Sequence, residues 1–232
     1  MLVLVTRPEP EASRTAGALA GLGHTALVAP LFEAEPVTAD LGGACDALAV
    51  TSARTPAMLP RDALAALTPL PAFAVGDRTA EALAAAGFRD IRSAAGDVTA
   101  LAALIAAADL PPGARILHPG GEERAGDLAA ALAPAGLAVV AATVYRMRAV
   151  AALPQAAGDA LRSGSLAAVL HYSPRAADLF ATLCIAAGLA PEAGGLRHLC
   201  LSAAVAAALE PLRPSCVITA QRPREADLLA AL

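Results

Sequence analysis

An internal repeat constrains the fold of this chain more than any other feature of its sequence. When residues 3–32 are moved forward by 113 positions without gaps, they align with residues 116–145. Val3-Leu4 then falls on Ile116-Leu117, Gly23 on Gly136 and Phe32 on Tyr145. Each segment is typical of a strand, a helix and a second strand that ends in an extended stretch. Any fold of this chain must therefore accommodate two related strand–helix–strand units.

The rest of the chain also repeats. Residues 50–54 align with 171–175, and residues 73–83 align with 199–209. The strand–helix units in residues 46–145 are thus matched by a set made of residues 1–32 and 166–232. Strands that alternate with helices form parallel sheets with right-handed crossovers. We therefore predict an α/β fold with two similar five-strand parallel-sheet (flavodoxin-like) domains.

The stretch 138–150 indicates where these domains join. Its first half is an uncharged strand, and from Val144 onward hydrophobic and Arg residues alternate, which is typical of a strand leaving its domain. On simple alternation, Val144 lies on one face and Tyr145 and Met147 on the other. We predict a discontinuous domain 1 (1–33 plus 148–232), an inserted domain 2 (36–144) and a two-stranded linker (33–36 and 144–148). A tandem split into 1–110 and 111–232 remains an alternative, because the repeat does not say which copies pack together.

Composition excludes several classes of protein. The chain is 57% apolar but only 3% aromatic, so its cores must be aliphatic, and its net charge of −4 and pI near 5.5 argue against nucleic-acid binding. Apolar runs are interrupted before ~20 residues, so we expect no membrane span. The four Cys and four His lack metal-ligand spacing, which predicts no metal and a reducing compartment. A strand directly at the start predicts no signal peptide, and hence a cytoplasmic protein.

The candidate binding residues follow the predicted strands. Ligands of open parallel sheets bind beyond the carboxyl ends of the strands, where free N–H groups and helix dipoles favour anions. Six such ends carry small polar or glycine-containing turns that lead into helices. The candidates at these turns are Arg7, Thr51, Ser52, Arg54, Gly76, Thr79, Gly120, Gly121, Arg124, Ser173 and Ser202.

Each candidate also has a purely structural interpretation. Ser52, Thr79 and Ser173 could simply cap helices, and the glycines could be turn residues. Arg124 could pair with Asp127 or Glu123. The sequence contains no nucleotide-binding glycine motif, no Ser-His-Asp arrangement and no obvious catalytic carboxylate pair. An enzyme with these residues would work mainly by holding an anionic substrate in shape.

Several motifs, in this order along the chain, resemble those of uroporphyrinogen-III synthases. They are Leu4-Val5-Thr6-Arg7-Pro8, Val50-Thr51-Ser52-Ala53-Arg54, residues 73–83 with Gly87-Phe88, and Val144-Tyr145-Arg146. The resemblance implies the inserted two-domain architecture. It also implies conversion of hydroxymethylbilane, a small-molecule substrate, to uroporphyrinogen III. Water is lost, the macrocycle closes and ring D is inverted through a spiro intermediate, without a cofactor. We expect a monomer.

The resemblance also makes Tyr145 the candidate catalytic residue. A phenol stays protonated at neutral pH and can donate a proton to the departing hydroxyl of the substrate. The competing interpretation makes Tyr145 a packing or interface residue near the hinge. Two turns, His118-Pro119-Gly120 and Ser202-Ala203-Ala204-Val205, depart from the usual family pattern. A non-catalytic ligand-binding or regulatory paralogue on the same scaffold is therefore the alternative function.

Overall fold

The computed structural model describes residues 1–124 and 126–232, which divide into two compact units. Unit 1 comprises residues 1–33 and 148–232, and unit 2 comprises residues 34–147. In chain order the elements are β1 (Leu2–Val5), α1 (Glu11–Gly21), β2 (Thr25–Val28), β3 (Phe32–Pro36), β4 (Ala47–Val50), α2 (Thr55–Met58), α3 (Arg61–Leu67), β5 (Ala72–Ala74), α4 (Asp77–Ala85), β6 (Ile91–Ser93), α5 (Val98–Ala106), β7 (Arg115–Gly121), α6 (Leu128–Leu132), β8 (Ala138–Ala149), α7 (Gln155–Arg162), β9 (Leu166–His171), α8 (Pro174–Ala186), α9 (Ala190–Gly194), β10 (Arg197–Cys200), α10 (Ala203–Ala207), β11 (Cys216–Thr219) and α11 (Glu225–Leu229), with 3-10 helices at Ala133–Ala135 and Glu210–Leu212.

Unit 1 contains a five-stranded parallel sheet in the order β11-β10-β9-β1-β2. Its central strands are almost wholly apolar and are buried on both faces, as expected for a parallel sheet covered by helices. Val3 and Val5 pack with Leu19 of α1 and Leu228 of α11 in one of the cores of this unit. The N-terminal and C-terminal helices therefore share a single hydrophobic cluster.

Unit 2 contains a six-stranded sheet in the order β3-β8-β7-β4-β5-β6. Four strand pairs in this sheet are parallel, namely β4–β5, β5–β6, β4–β7 and β7–β8. Two apolar clusters cover the sheet. The predicted α/β class with parallel sheets is thus confirmed, but this sheet has six strands rather than five. The extra strand is β3, a segment predicted as part of the linker. It gains hydrogen-bonding partners at the sheet edge beside β8, and the Val37 N–H donates to the Val144 carbonyl.

The sequence repeat corresponds to a repeat in strand pairing. Under the sequence offsets, β7, β8, β4, β5 and β6 correspond to β1, β2, β9, β10 and β11, and the two strand orders then coincide. The register is also retained, because Val3 lies opposite Ala26 just as Ile116 lies opposite Val139. The tandem alternative would place β1 in the sheet of β4, whereas β1 pairs with β9.

Several element boundaries differ from the sequence-based prediction, and proline explains two of them. The sequence pattern predicts one strand over residues 25–32, but the strand ends at Val28, and Pro30, which has no N–H, separates it from β3. The sequence pattern also predicts one helix over residues 203–212, but the α-helix stops at Ala207 and a 3-10 turn containing Pro211 follows. The short helix α9 was not predicted from the sequence. Within the described residues, no helix combines the length and apolarity needed to cross a bilayer.

Candidate functional site

A pocket of about 360 Å³ lies at the carboxyl ends of the strands of unit 2. Its position is the usual ligand site of an open parallel sheet, and its volume is near the lower end of the range for ligand pockets. The loops that follow β4, β5, β6 and β7, together with β8, supply its walls. The lining residues are Thr51, Ser52, Val75, Asp97, Val98, Gly121, Glu123, Arg124 and Tyr145.

Tyr145 is the most buried polar side chain that lines this pocket. Only 6% of the residue is exposed, and its ring packs in the apolar cluster that contains Leu48 and Leu117. No side chain or backbone group in residues 1–124 or 126–232 forms a hydrogen bond with its hydroxyl. A hydroxyl without an internal partner at the wall of a pocket is suited to a ligand.

The orientation of Tyr145 differs from simple alternation along β8. Gly120 lies opposite Thr143, but Gly121 lies opposite Tyr145, so Val144 is an extra residue in β8. Such a one-residue β-bulge reverses the alternation of side chains beyond it. Val144, Tyr145 and Met147 consequently contact the same cluster, and the expectation that Val144 and Tyr145 face opposite sides is wrong.

A neutral histidine lies next to the pocket. The Nε2 atom of His118 is 3.2 Å from the Oγ1 atom of Thr51, and only 5% of His118 is exposed. Burial, with a smaller effect from the charge of Arg124, lowers the pKa of His118 to about 4. His118 is therefore neutral at pH 7 and holds the Thr51 hydroxyl without adding charge.

Arg124 brings a positive charge to the same pocket. Its Nη2 atom donates to the Thr143 Oγ1 atom over 3.2 Å and not to Asp127, one of the two acidic residues that could have paired with it. Asp127 instead caps α6 by accepting a hydrogen bond from Ala130. The Nε atom of Arg124 is buried and has no partner among the described residues. A buried donor of this kind costs free energy unless a ligand accepts a hydrogen bond from it.

Unit 2 contains other candidates that do not line this pocket. They are Arg54, Gly76, Thr79 and Gly120. Gly76 precedes α4, and its carbonyl accepts from the Thr79 and Ala80 N–H groups. Ser52, which does line the pocket, accepts a hydrogen bond from the Arg54 N–H over 3.3 Å. The strand-end rule therefore selects residues that line this pocket together with neighbours that do not line it.

Asp97 is a pocket residue that the sequence analysis missed. It follows β6 in the turn 95–97, and its Oδ1 atom accepts a hydrogen bond from Ala100, so that it caps α5. The candidates predicted at the strand ends are Ser, Thr, Gly and Arg residues, so this acidic residue is not among them. Applying the strand-end rule to acidic residues as well would have found it.

The candidates in unit 1 bind other parts of the chain. The Arg7 Nη1 atom is 2.9 Å from the Glu225 Oε1 atom, and its guanidinium lies 4.0 Å from the centre of the Tyr172 ring. Ser173 and Ser202 each cap a helix, by accepting from Ala176 and Val205. Arg7 and Tyr172 occupy the repeat positions of Gly120 and Thr51, so larger side chains fill these places in unit 1.

The described residues give no indication of a metal site. In residues 1–124 and 126–232, no group of three His, Cys, Asp or Glu side chains is arranged to hold a metal ion. All four cysteines are free thiols. Burial raises the pKa of Cys184 to about 12 and that of Cys200 to about 11, so both thiols stay protonated.

Comparison with known proteins gives one family. The family model for uroporphyrinogen-III synthase HemD matches residues 13–230. No curated protein sequence gives a significant match. Among solved structures, the uroporphyrinogen-III synthetase of Helicobacter pylori is 17% identical, with a TM-score of 0.60, and the alignment covers 99% of this chain and 96% of that one. The uroporphyrinogen III synthase of Thermus thermophilus is 20% identical, with coverages of 100% and 96% and a TM-score of 0.42.

Proposed function

The chain belongs to the uroporphyrinogen-III synthase family, and from this premise we propose that the unit 2 pocket holds the reacting end of the substrate against Tyr145. The family predicted from the sequence motifs is confirmed. The protein is a cyclising hydro-lyase of tetrapyrrole biosynthesis, which converts hydroxymethylbilane to uroporphyrinogen III with inversion of ring D. No finding favours the non-catalytic alternative.

Tyr145 acts in the first chemical step as the general acid. The bond between the hydroxymethyl carbon and its oxygen breaks, and both electrons leave with the oxygen. The pyrrole nitrogen supplies electron density to the carbon, and the departing oxygen takes the phenolic proton and leaves as water. Ring closure and rearomatisation later release a proton from carbon, which returns the phenolate to its neutral form. The proton count is therefore balanced over one turnover.

The observation that carries this proposal is the Tyr145 hydroxyl, which has no hydrogen-bond partner among the described residues although the rest of the side chain is buried. A tyrosine with a purely structural role and only 6% of the residue exposed is expected to form a hydrogen bond between its hydroxyl and a protein group. Its place in the pocket wall leaves that hydroxyl for a ligand. Because His118 is neutral at pH 7 and is bonded to Thr51, Tyr145 is the best placed proton donor at the pocket.

Binding rests on anion recognition by strand-end groups. A pocket of about 360 Å³ accommodates a pyrrole ring with its carboxylate side chains but not the whole linear tetrapyrrole. Arg124, Thr51, Ser52 and the backbone of Gly121 would bind the ring held there. The remaining candidates, which offer N–H groups or charge at strand ends and helix starts, would bind other rings; they are Arg7, Arg54, Gly76, Thr79, Gly120, Ser173 and Ser202.

The architecture and setting of the enzyme complete the proposal. Units 1 and 2 would be flavodoxin-like domains, the second inserted in the first through linker strands 33–36 and 144–148. The matching strand orders and registers of the two sheets support this. The enzyme would work as a monomer in the cytoplasm. Its four cysteines are free thiols, which suits a reducing compartment.

The test is the variant Tyr145→Phe, which keeps the ring and removes the donor. We expect kcat for type III product to fall about 10²-fold, the low end for general acid catalysis, because the pyrrole nitrogen already assists departure. KM and the urea midpoint should change little. Tyr172→Phe is the control, since it removes the other phenol of the chain, which donates to Glu225 outside the pocket. Full type III activity of folded Tyr145→Phe would refute the proposal.

A further inference from the structure

The pairing of β7 with β8 changes register next to the pocket. From Arg115 opposite Ala138 to Gly120 opposite Thr143 the pairing is regular, and it then shifts so that Gly121 faces Tyr145. The extra residue is Val144. The Glu122 N–H donates to the Tyr145 carbonyl over 3.0 Å, so the backbone is held on the far side of the shift. The bulge is therefore fixed by hydrogen bonds before and after it.

This bulge determines which face of the sheet carries the Tyr145 ring. Before it, Val140, Ala142 and Val144 contact the cluster that contains Leu48, and Val139 contacts the opposite cluster. Regular alternation would place Tyr145 with Val139. The bulge instead turns Tyr145 to the side of Val144 and brings it to the pocket wall.

Gly121 provides the space that the reoriented ring occupies. A Cβ atom at residue 121 would lie 2.9 Å from both Cε2 and Cζ of Tyr145, and 3.1 Å from its hydroxyl oxygen. Carbon atoms without a bond between them do not approach this closely, so any side chain at residue 121 must displace the ring. Gly121 does not have the positive φ that makes other glycines necessary. Space, and not backbone conformation, therefore accounts for glycine at this position.

We infer that Gly121 is a positioning residue for the reaction, because its missing side chain and the bulge at Val144 together fix the Tyr145 hydroxyl at the pocket. This inference rests on the proposed role of Tyr145. The repeat shows that the arrangement is specific to unit 2. The repeat positions of Gly121 and Tyr145 are Pro8 and Phe32, and the pairing of β1 with β2 ends at Val5 opposite Val28, without a bulge.

The kinetic test is the variant Gly121→Ala, alone and combined with Tyr145→Phe. Moving a catalytic group by up to about 1 Å can cost as much as 10²-fold in rate, so we expect Gly121→Ala to lower kcat about 10-fold, with a smaller change in KM. In the Tyr145→Phe background the same substitution should lower kcat less than twofold, because the displaced group no longer donates. Gly17→Ala is the matched control, since a Cβ there meets no atom within 4 Å.

A second measurement reports the position of the ring without turnover. The chain has only two tyrosines, so labelling with 3-fluorotyrosine gives two ¹⁹F resonances, which Tyr172→Phe assigns. Gly121→Ala should shift the Tyr145 resonance and leave that of Tyr172 in place. If Gly121→Ala does not fold, the variant Gly121→Ala/Tyr145→Leu should recover folding, because leucine lacks the atoms that collide.

The possible outcomes separate this inference from the proposed function. Wild-type kcat and an unmoved Tyr145 resonance in Gly121→Ala overturn the positioning role, even if Tyr145→Phe is inactive. Equal losses of kcat from Gly121→Ala with and without the Tyr145 hydroxyl also overturn it. Full activity of Tyr145→Phe overturns the proposed function, whatever the resonance does.

Discussion

The Nε2 atom of His171 lies 3.1 Å from the Nδ1 atom of His198, and neither ring is exposed to solvent. The Nε2–H of His198 donates to the Ala193 carbonyl over 2.9 Å, so Nδ1 of the neutral ring must accept from His171. The Nδ1 atom of His171 then remains a buried acceptor without a partner among the described residues. The two rings form a neutral pair inside unit 1.

This pair predicts that acid destabilises unit 1. Burial lowers the pKa of both rings, and the charge of His198 lowers that of His171 further. The unfolded chain therefore takes up protons first, so stability is complete above about pH 6.5 and declines as the pH falls below it. The residues at the repeat positions in unit 2 are Val50 and Ala72. We expect His171→Val/His198→Ala to lose less stability between pH 7.5 and 5 in urea unfolding. An unchanged pH dependence would contradict this.

His118 predicts a similar effect in unit 2. Its pKa of about 4, compared with 6.5 in the unfolded chain, corresponds to roughly 3 kcal/mol of stability that is complete above pH 6.5 and lost as the pH approaches 4. His118→Gln can still bond to Thr51 but does not titrate. We expect a flatter dependence of unfolding free energy on pH for this variant, and near-normal activity at pH 7. Loss of most activity at pH 7 would show that the imidazole has a further role.

Glu225 should stabilise unit 1 through its charge. Although burial opposes its ionisation, hydrogen bonds from Thr15 and Tyr172 and the charge of Arg7 lower its pKa. We expect Glu225→Gln to cost about 1–2 kcal/mol at pH 7 in urea unfolding. Because the folded pKa is lowered, this difference should diminish as the pH falls below about 4. Exposed Glu210→Gln is the control, and an equal cost there would argue against the ion pair.

Arg124 should contribute to substrate affinity rather than to stability. Its Nε atom has no partner in the described residues, so a substrate carboxylate could gain a charge-assisted hydrogen bond there. Losing such a contact costs ~1.5–3 kcal/mol, and we expect Arg124→Ala to raise KM about 10- to 100-fold, with the effect weakening in salt. Arg89→Ala removes the same charge at the opposite edge of the unit 2 sheet, before β6, and should leave KM unchanged. Equal KM values for the two variants would exclude this role.

The internal repeat agrees with the observed strand pairing because it links residues that share a chemical environment. Val3 and Ile116 are both apolar residues of central strands. The residues opposite them, Ala26 and Val139, also occupy equivalent positions of the repeat. The edge of the sheet that carries the pocket followed from the rule for parallel strands. Tyr145 was found through a family motif and not from its local pattern.

Contacts between distant residues could not be predicted from the sequence. Arg7 was selected as an anion ligand, but Glu225 lies 218 positions further along the chain and no local pattern pairs the two. The bulge at Val144 was missed for a similar reason, since it depends on glycine in the neighbouring strand. A period-two pattern in β8 alone therefore gave the wrong face for Tyr145.

The strand orders also show an exchange of strands between the two tandem copies of the internal repeat. Each sheet combines the first two strands of one copy with the last three of the other, an intramolecular form of domain swapping. During synthesis, every strand of the unit 2 sheet is made before β9. The first strands to leave the ribosome, β1 and β2, thus belong to the sheet that is completed last. The N-terminal segment of this enzyme therefore cannot complete its sheet until the C-terminal strands have been made.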